Sequence, residues 1–197
     1  MAKSSPTLYL LLLISLYISS TAKSAATAPS SLSFVKSSCN ATTYPAVCFQ
    51  SLSPFATLIR RNQRLLVHTA LSVSLSRVGN TRRFVHKLTK LSGLKDRERS
   101  ALRDCVQEVS DSIDSLSQSI KELKKTGSYK GKDFEWRMSN IETWVSAALT
   151  DEGTCLDGFD SKALNGRVKT SIKERIVSVA HVTSNALALI NKYASTH

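Results

Sequence analysis

Apolar residues recur at steps of three or four along three long segments of the chain, which is the spacing of one face of an α-helix. In residues 101–123 the steps run three, four, four, three, four and three. The apolar positions of this segment are Leu102, Cys105, Val109, Ile113, Leu116, Ile120 and Leu123. The other two stripes are formed by Phe134, Met138, Ile141, Val145 and Ala148, and by Ile172, Ile176, Val179, Thr183, Ala186, Ile190 and Tyr193. Each stripe predicts a long helix with one buried face.

A fourth helix is predicted from 63 to 91, where most residues are apolar or small. Helix-breaking residues separate the four segments at Gly93, at 126–133 and at 158–166. Alternating runs of strand-forming residues are nearly absent. Four amphipathic helices with short connections favour an antiparallel four-helix bundle over residues 63–193.

A short helical hairpin is predicted in front of this bundle. All four prolines lie at or before Pro54, outside the predicted bundle. The segment 32–56 contains Cys39, Pro45 and Cys48 and is long enough for two short helices. The predicted fold class is therefore all-α, with an N-terminal hairpin and a four-helix bundle.

The first residues predict a secretory signal peptide over 1–22, with cleavage after residue 22 or as late as residue 26. Lys3 provides a positive start, and the apolar run 8–18 follows it. That run is about half of the ~20 residues that a membrane span needs. Residues 23–31 are small and predict a linker. We expect a secreted protein that has no membrane contact once the leader is removed.

Secretion favours disulfide bonds for the four cysteines. Their number alone allows three pairings. Cys105 lies on the buried stripe of its helix, and Cys155 is expected just after the next helix, where Gly153 lets the chain turn. Cys39 and Cys48 are close in sequence and lie within the predicted hairpin. We therefore predict the bonds Cys39–Cys48 and Cys105–Cys155.

The sequence contains no pattern that is typical of catalysis. It has no G-x-S-x-G, no H-E-x-x-H and no glycine-rich phosphate loop. It has no C-x-x-C, and its four histidines are not spaced as metal ligands. We therefore expect no catalytic residue, no metal and no cofactor.

Asn40 begins the sequon Asn-Ala-Thr and is a candidate glycosylation site.

Three polar residues share the face of the second bundle helix opposite its apolar stripe. They are Gln107, Asp111 and Asp114. An outer helix surface lacks the pocket that catalytic carboxylates need to shift their pKa. The face is either a solvated polar stripe or a contact surface for a partner protein.

Trp144, on the third helix, is predicted to lie in the core.

The formal net charge is +12, or +11 once Lys3 leaves with the signal peptide (12 − 1 = 11). A secreted basic protein adheres to polyanions, although a well-solvated surface explains the charge equally well. Nucleic acid is not expected as a partner, because aromatic and basic residues are not interleaved as in single-strand-binding proteins.

Four segments together resemble the plant invertase and pectin methylesterase inhibitor family. They are SSCNATTYPAVCFQSL, ALRDCVQEVSDSIDSL, ETWVSAALTDEGTCLDGF and TSNALALI. The resemblance runs from about residue 32 to 193 and assigns residues 32–197 to one inhibitor domain. It implies the same bundle, hairpin and disulfide pairing, and it implies inhibition of a cell-wall or vacuolar enzyme without catalysis. It places the protein in the apoplast and cell wall.

Within that family the chain is more similar to the pectin methylesterase inhibitors. Invertase inhibitors typically present a Pro-Lys-Phe motif, which is absent here. The resemblance implies that bundle helices cover the pectin-binding cleft of the esterase. The implied contact residues are Gln107, Asp111, Asp114, Thr154 and Asp157.

Two residues depart from the family pattern. Gln107 stands where the family often has an acidic residue, and Val109 stands where it often has an aromatic one. These departures bear on affinity and on the choice of esterase isoform.

Two other functions stay open from sequence: inhibition of an acid invertase, and a non-inhibitory wall protein that adheres to pectin.

Overall fold

The computed structural model describes residues 30–160 and 166–196, and every regular element in these ranges is helical. The predicted signal peptide 1–22 and most of the predicted linker lie outside the described residues. The helices are α1 (Ser31–Cys39), α2 (Pro45–Leu52), α3 (Ala56–Ile59), α4 (Gln63–Leu88), α5 (Asp96–Lys125), α6 (Lys132–Asp157) and α7 (Arg167–Ala194). Short 3₁₀ turns occupy Ser53–Phe55 and Thr126–Ser128. Within the described ranges, none of these helices has the length and apolar character that crossing a membrane requires.

The four long helices α4 to α7 form the predicted antiparallel bundle. Helix α5 packs against α4 and α6, and α7 packs against the same two helices on the other side. The three predicted stripes face the interior of this ring. Every residue of the α6 and α7 stripes is buried, whereas Ile113 and Ile120 of the α5 stripe are only partly covered. The apolar periodicity therefore predicted which face of each helix is buried.

The breaks between the long helices also follow the sequence, with one exception. Gly93 and Gly131 adopt positive φ angles of 79° and 57° in the connections before α5 and α6. The predicted turn at Gly153 is wrong, because α6 continues through it to Asp157. A helical glycine costs about 1 kcal/mol relative to alanine. The buried side chains of Glu152 and Cys155 on either side of it stabilise the helical conformation.

The N-terminal hairpin packs on α7. The Cys39–Cys48 disulfide joins α1 to α2, with the Cα atoms 5.5 Å apart. The side-chain amide of Asn185 accepts a hydrogen bond from the Tyr44 N–H and donates one to the Tyr44 carbonyl, both at 2.9 Å. The Tyr44 ring stacks on His181 with the ring centroids 3.7 Å apart. The loop between α1 and α2 is thus fixed to the bundle.

The expectation that Trp144 lies in the core is wrong. Its side chain is partly exposed and is not a member of the buried cluster. Ile141 and Val145, on either side of it, are fully buried. Because successive helical residues are rotated by about 100°, a residue next to Val145 points well away from the core.

Candidate functional site

The candidate site is the outer surface of α5 and α6 around the disulfide that joins them. Cys105 and Cys155 are bonded, as predicted, with their Cα atoms 4.3 Å apart. Both cysteines are at least 98% buried, so the bond lies beneath the surface. It fixes the last turns of α6 against the N-terminal third of α5. The exposed residues of these turns are therefore held in a defined arrangement.

The three polar residues predicted on α5 are all exposed to solvent. They are Gln107, Asp111 and Asp114. The Gln107 side-chain amide donates a hydrogen bond of 2.9 Å to the Asp111 carboxylate one turn later. That bond orients both side chains along the helix. Asp114 lies nine residues beyond Cys105 and thus about 13 Å further along the α5 axis.

Thr154 and Asp157 are exposed in the last two turns of α6, beside the buried Cys155. The Thr154 hydroxyl donates to the Thr150 carbonyl at 2.9 Å, and its oxygen can still accept a bond from outside. The structure therefore brings all five predicted contact residues to the outer surface of one pair of helices.

Two further acidic residues belong to this surface. Burial raises the pKa of Asp151, and the negative charges of Glu108 and Asp111 raise it further. These charges come from α5, while Asp151 lies on α6, so the acidic residues of the two helices are close together. We call the set Gln107, Glu108, Asp111, Asp114, Asp151, Thr154 and Asp157 the acidic face. Sequence reasoning missed Glu108 and Asp151 because it considered one helix at a time.

A buried carboxyl group lies beneath the acidic face. Glu152 is completely buried, and its Oε1 atom accepts hydrogen bonds from Ser112 Oγ at 3.1 Å and Thr183 Oγ1 at 2.9 Å. Its Oε2 atom has no hydrogen-bond partner among the described residues. Burial raises the pKa of Glu152 to about 8, although the two hydroxyl groups oppose the shift. The group is therefore uncharged in acidic solution and mostly uncharged at neutral pH.

Glu152 links three helices, because Ser112 lies on α5 and Thr183 on α7. Sequence analysis did not find it, although a signal was present. Glu152 lies four residues after the buried Ala148 and three before Cys155, on the apolar stripe itself. A carboxyl group at such a position must find buried hydrogen-bond donors or remain protonated.

The described residues contain no cluster of three His, Cys, Asp or Glu side chains that could hold a metal ion.

Asn40 of the sequon is exposed at the end of α1, whereas Thr42 is buried and donates to the Cys39 carbonyl at 2.8 Å. Glycosylation of Asn40 remains a prediction.

Comparison with known proteins supplies the context for this surface. A sequence model of the family described as plant invertase/pectin methylesterase inhibitor matches residues 33–189. The chain is 52% identical to the "21 kDa protein" of Daucus carota over 88% of this chain and 90% of that protein. It is 47% identical to Pectinesterase inhibitor 9 of Arabidopsis thaliana over 95% of this chain and 94% of that protein. The crystal structure of mutant form A of a pectin methylesterase inhibitor from Arabidopsis shares the fold, with a TM-score of 0.63 at 22% identity, over 78% of this chain and 92% of that one.

Proposed function

The chain belongs to the plant invertase/pectin methylesterase inhibitor family, and from this premise we propose that it inhibits a plant pectin methylesterase. In this proposal one molecule binds one enzyme molecule over the pectin-binding cleft and so limits the de-esterification of pectin in the cell wall. The observation that carries the proposal is the 47% identity, over nearly the whole chain, with a protein named Pectinesterase inhibitor 9.

The acidic face is the proposed contact surface. Its residues lie on two long helices that a buried disulfide joins, so docking requires little ordering of the backbone. A rigid surface retains more of the gross interaction energy than a surface that must fold on binding. A standard interface buries about 800 Å² on each partner, and two adjacent helices of this length provide such an area.

Polar groups on this face are arranged to accept hydrogen bonds. Gln107 holds the Asp111 carboxylate in one orientation, and Thr154 leaves its hydroxyl oxygen available. Exposed carboxylates that meet donors of a partner form charge-assisted hydrogen bonds, which are stronger than neutral ones. The inhibitor thus acts by occupying the cleft and has no catalytic part in the reaction.

The proposed site of action is the apoplast. This proposed location depends on the predicted signal peptide at 1–22, which lies outside the described residues. Two disulfide bonds accord with an oxidising, extracellular environment.

Titration of a plant pectin methylesterase with the purified mature protein tests the proposal. We expect activity to fall with added inhibitor and to reach its minimum near one equivalent. Unchanged esterase activity between mildly acidic and neutral pH would overturn the proposal.

A parallel titration of an acid invertase separates the two enzyme targets. Loss of invertase activity alone would establish the alternative inhibitor function. Inertness towards both enzymes, combined with salt-sensitive retention on de-esterified pectin, would instead indicate a wall protein without an enzyme target.

A further inference from the structure

A second charged region lies beside the acidic face and has the opposite sign. Residues 82–103, from the end of α4 to the second turn of α5, contain eight Lys or Arg and two acidic residues, which gives a net charge of +6 (8 − 2 = 6). The whole chain carries +12. Helix α4 contains no acidic residue between Gln63 and Leu88. Half of the net charge is therefore concentrated in one short segment.

Two of these basic residues, Arg99 and Arg103, line a groove between α4 and α5. A cavity of about 350 Å³ is bounded by His86 and Thr89 on the α4 side and by Arg99, Arg103 and Val106 on the α5 side. Its volume is in the range of ligand pockets. We call this cavity with its cationic rim the basic groove.

The rim extends beyond the cavity along α4. Arg82, one turn before His86, donates from Nε to the Ser110 hydroxyl at 2.8 Å, which holds its guanidinium between the two helices. On the opposite side of α4, the Arg175 guanidinium of α7 lies 4.1 Å from the Phe84 ring centroid. Cations thus lie on both sides of this end of α4.

The arginines of the groove make no ion pair with a carboxylate of the described residues. Within residues 30–160 and 166–196, both ion pairs are made by Glu122, near the far end of α5. Arg99 and Arg103 have no carboxylate partner there. Like charges held together without counter-charges destabilise the fold, and they create a potential that attracts anions.

We propose that the basic groove binds a linear polymer of uronic acids, as found in de-esterified pectin. Arg99 and Arg103, one helical turn apart, would bind carboxylates through their guanidinium forks, which match that geometry. A polymer with a carboxylate on every sugar can also reach Arg82 and Lys87 along α4. Methyl esterification removes the charge from each carboxylate and should remove the binding.

The choice of this polymer rests on the proposed function, because hydrolysis of pectin methyl esters produces such carboxylates. Arg103 precedes Gln107 of the acidic face by one turn of α5, so the two surfaces adjoin without sharing residues. A protein with both surfaces would be retained on the wall polymer where an esterase has already acted.

Binding of the purified protein to immobilised polygalacturonate, in the absence of any esterase, tests the inference. We expect binding at low ionic strength, loss of binding at high salt, and weak binding to highly methyl-esterified pectin. The variant Arg99→Gln/Arg103→Gln should bind at least about tenfold more weakly, because it loses two charge-assisted contacts. Circular dichroism and thermal unfolding establish that it is folded.

The variant Lys130→Gln/Lys132→Gln is the matched control. It removes the same amount of charge from two exposed residues, one in the connection between α5 and α6 and one at the start of α6. We expect its binding to change less than about twofold, since long-range charge effects are screened. An equal loss in both variants would show that only net charge matters and would overturn the basic groove. Equal binding to methyl-esterified pectin, or tighter binding to duplex DNA at the same salt, would overturn the uronate assignment.

This assay and the esterase titration fail independently. Intact inhibition without polygalacturonate binding would refute the basic groove alone. Intact polygalacturonate binding without inhibition would refute the esterase target alone.

Discussion

The hydroxyl group of Ser112 on α5 donates a hydrogen bond of 3.1 Å to the completely buried carboxyl group of Glu152 on α6. Thr183 of α7 donates to the same oxygen atom, so a single side chain links three helices directly beneath the acidic face. Burial raises the pKa of Glu152 to about 8, so the carboxyl group is mostly protonated at neutral pH, although both hydroxyl hydrogen bonds favour its ionised form.

The raised pKa of Glu152 leads us to expect that this residue makes the fold more stable in acid than in mild alkali. The pKa is about 8 in the folded protein, against an ordinary value of 4.5. Between these values the folded state binds one more proton than the unfolded state, so the free energy of unfolding falls as pH rises. The full contribution, relative to the ionised carboxylate, is present below about pH 4.5 and amounts to roughly 5 kcal/mol by linkage.

The variant Glu152→Gln keeps a neutral side chain of similar size and does not titrate. Urea unfolding of both proteins at several pH values between acid and mild alkali should show a decline for the wild type that the variant lacks. Parallel pH profiles of the two proteins would contradict this role of Glu152.

Glu122 has the opposite pH dependence. Burial alone would raise its pKa, but hydrogen bonds from Lys125 and Arg137 outweigh burial and lower the pKa below 4.5. A lowered carboxyl pKa adds stability above the unfolded value, and that stability is lost as the solution is acidified. Glu122 and Arg137 form an ion pair between α5 and α6 that is largely shielded from solvent.

The variant Arg137→Met should therefore lower the free energy of unfolding by about 3 kcal/mol at neutral pH, because it removes the less exposed of the two cations that pair with the buried Glu122 carboxylate. The loss should shrink in acid, where Glu122 is protonated. Lys125→Met is the control: its side chain is 58% exposed, and we expect a change below about 1 kcal/mol. Equal losses in the free energy of unfolding for the two variants, measured with denaturant, would refute the conclusion that Arg137 stabilises Glu122 more than Lys125 does.

The two disulfide bonds should contribute unequally to stability. Cys105–Cys155 spans 50 residues and Cys39–Cys48 spans 9. In the chain-entropy model, loops of these lengths correspond to about 4 and about 2.5 kcal/mol. The variant Cys105→Ser/Cys155→Ser should therefore unfold at a lower denaturant concentration than Cys39→Ser/Cys48→Ser. The reverse order in urea unfolding would contradict the expectation.

The acidic face can be tested without any enzyme. The negative charge of Asp111 helps to raise the pKa of Asp151 across the interface between α5 and α6. The variant Asp111→Asn should therefore lower the pKa of Asp151, as measured by NMR titration of its carboxyl carbon. An unchanged value would show that the two residues are too far apart to interact.

Periodic apolar positions predicted the buried faces of α5, α6 and α7, and the positions of the cysteines relative to the predicted helices indicated the disulfide pairing. The stripe through Phe134, Met138 and Ile141 fixed the orientation of α6 because no other face of that helix could be buried. The turn at Gly153 was predicted wrongly, since local helix propensity was considered without the buried contacts on either side.

Interactions between helices could not be read from single segments. The hydrogen bonds of Glu152 to Ser112 and Thr183 depend on the rotation of three helices about their axes, which the sequence pattern fixes only approximately. The approach of Asp151 to Glu108 depends on the register between α5 and α6. Both features follow from packing rather than from sequence spacing.

The central claim is that the acidic face of α5 and α6 contacts the esterase. The most direct measurement is the inhibition constant against a plant pectin methylesterase for the wild type, for Asp111→Asn/Asp114→Asn, and for the control Asp133→Asn/Glu174→Gln. The control removes two exposed acidic charges outside this face. We predict that inhibition by the first variant weakens by about tenfold or more, as expected for the loss of two charge-assisted contacts, while the control keeps the wild-type constant. Equal potency of all three folded proteins would contradict the account.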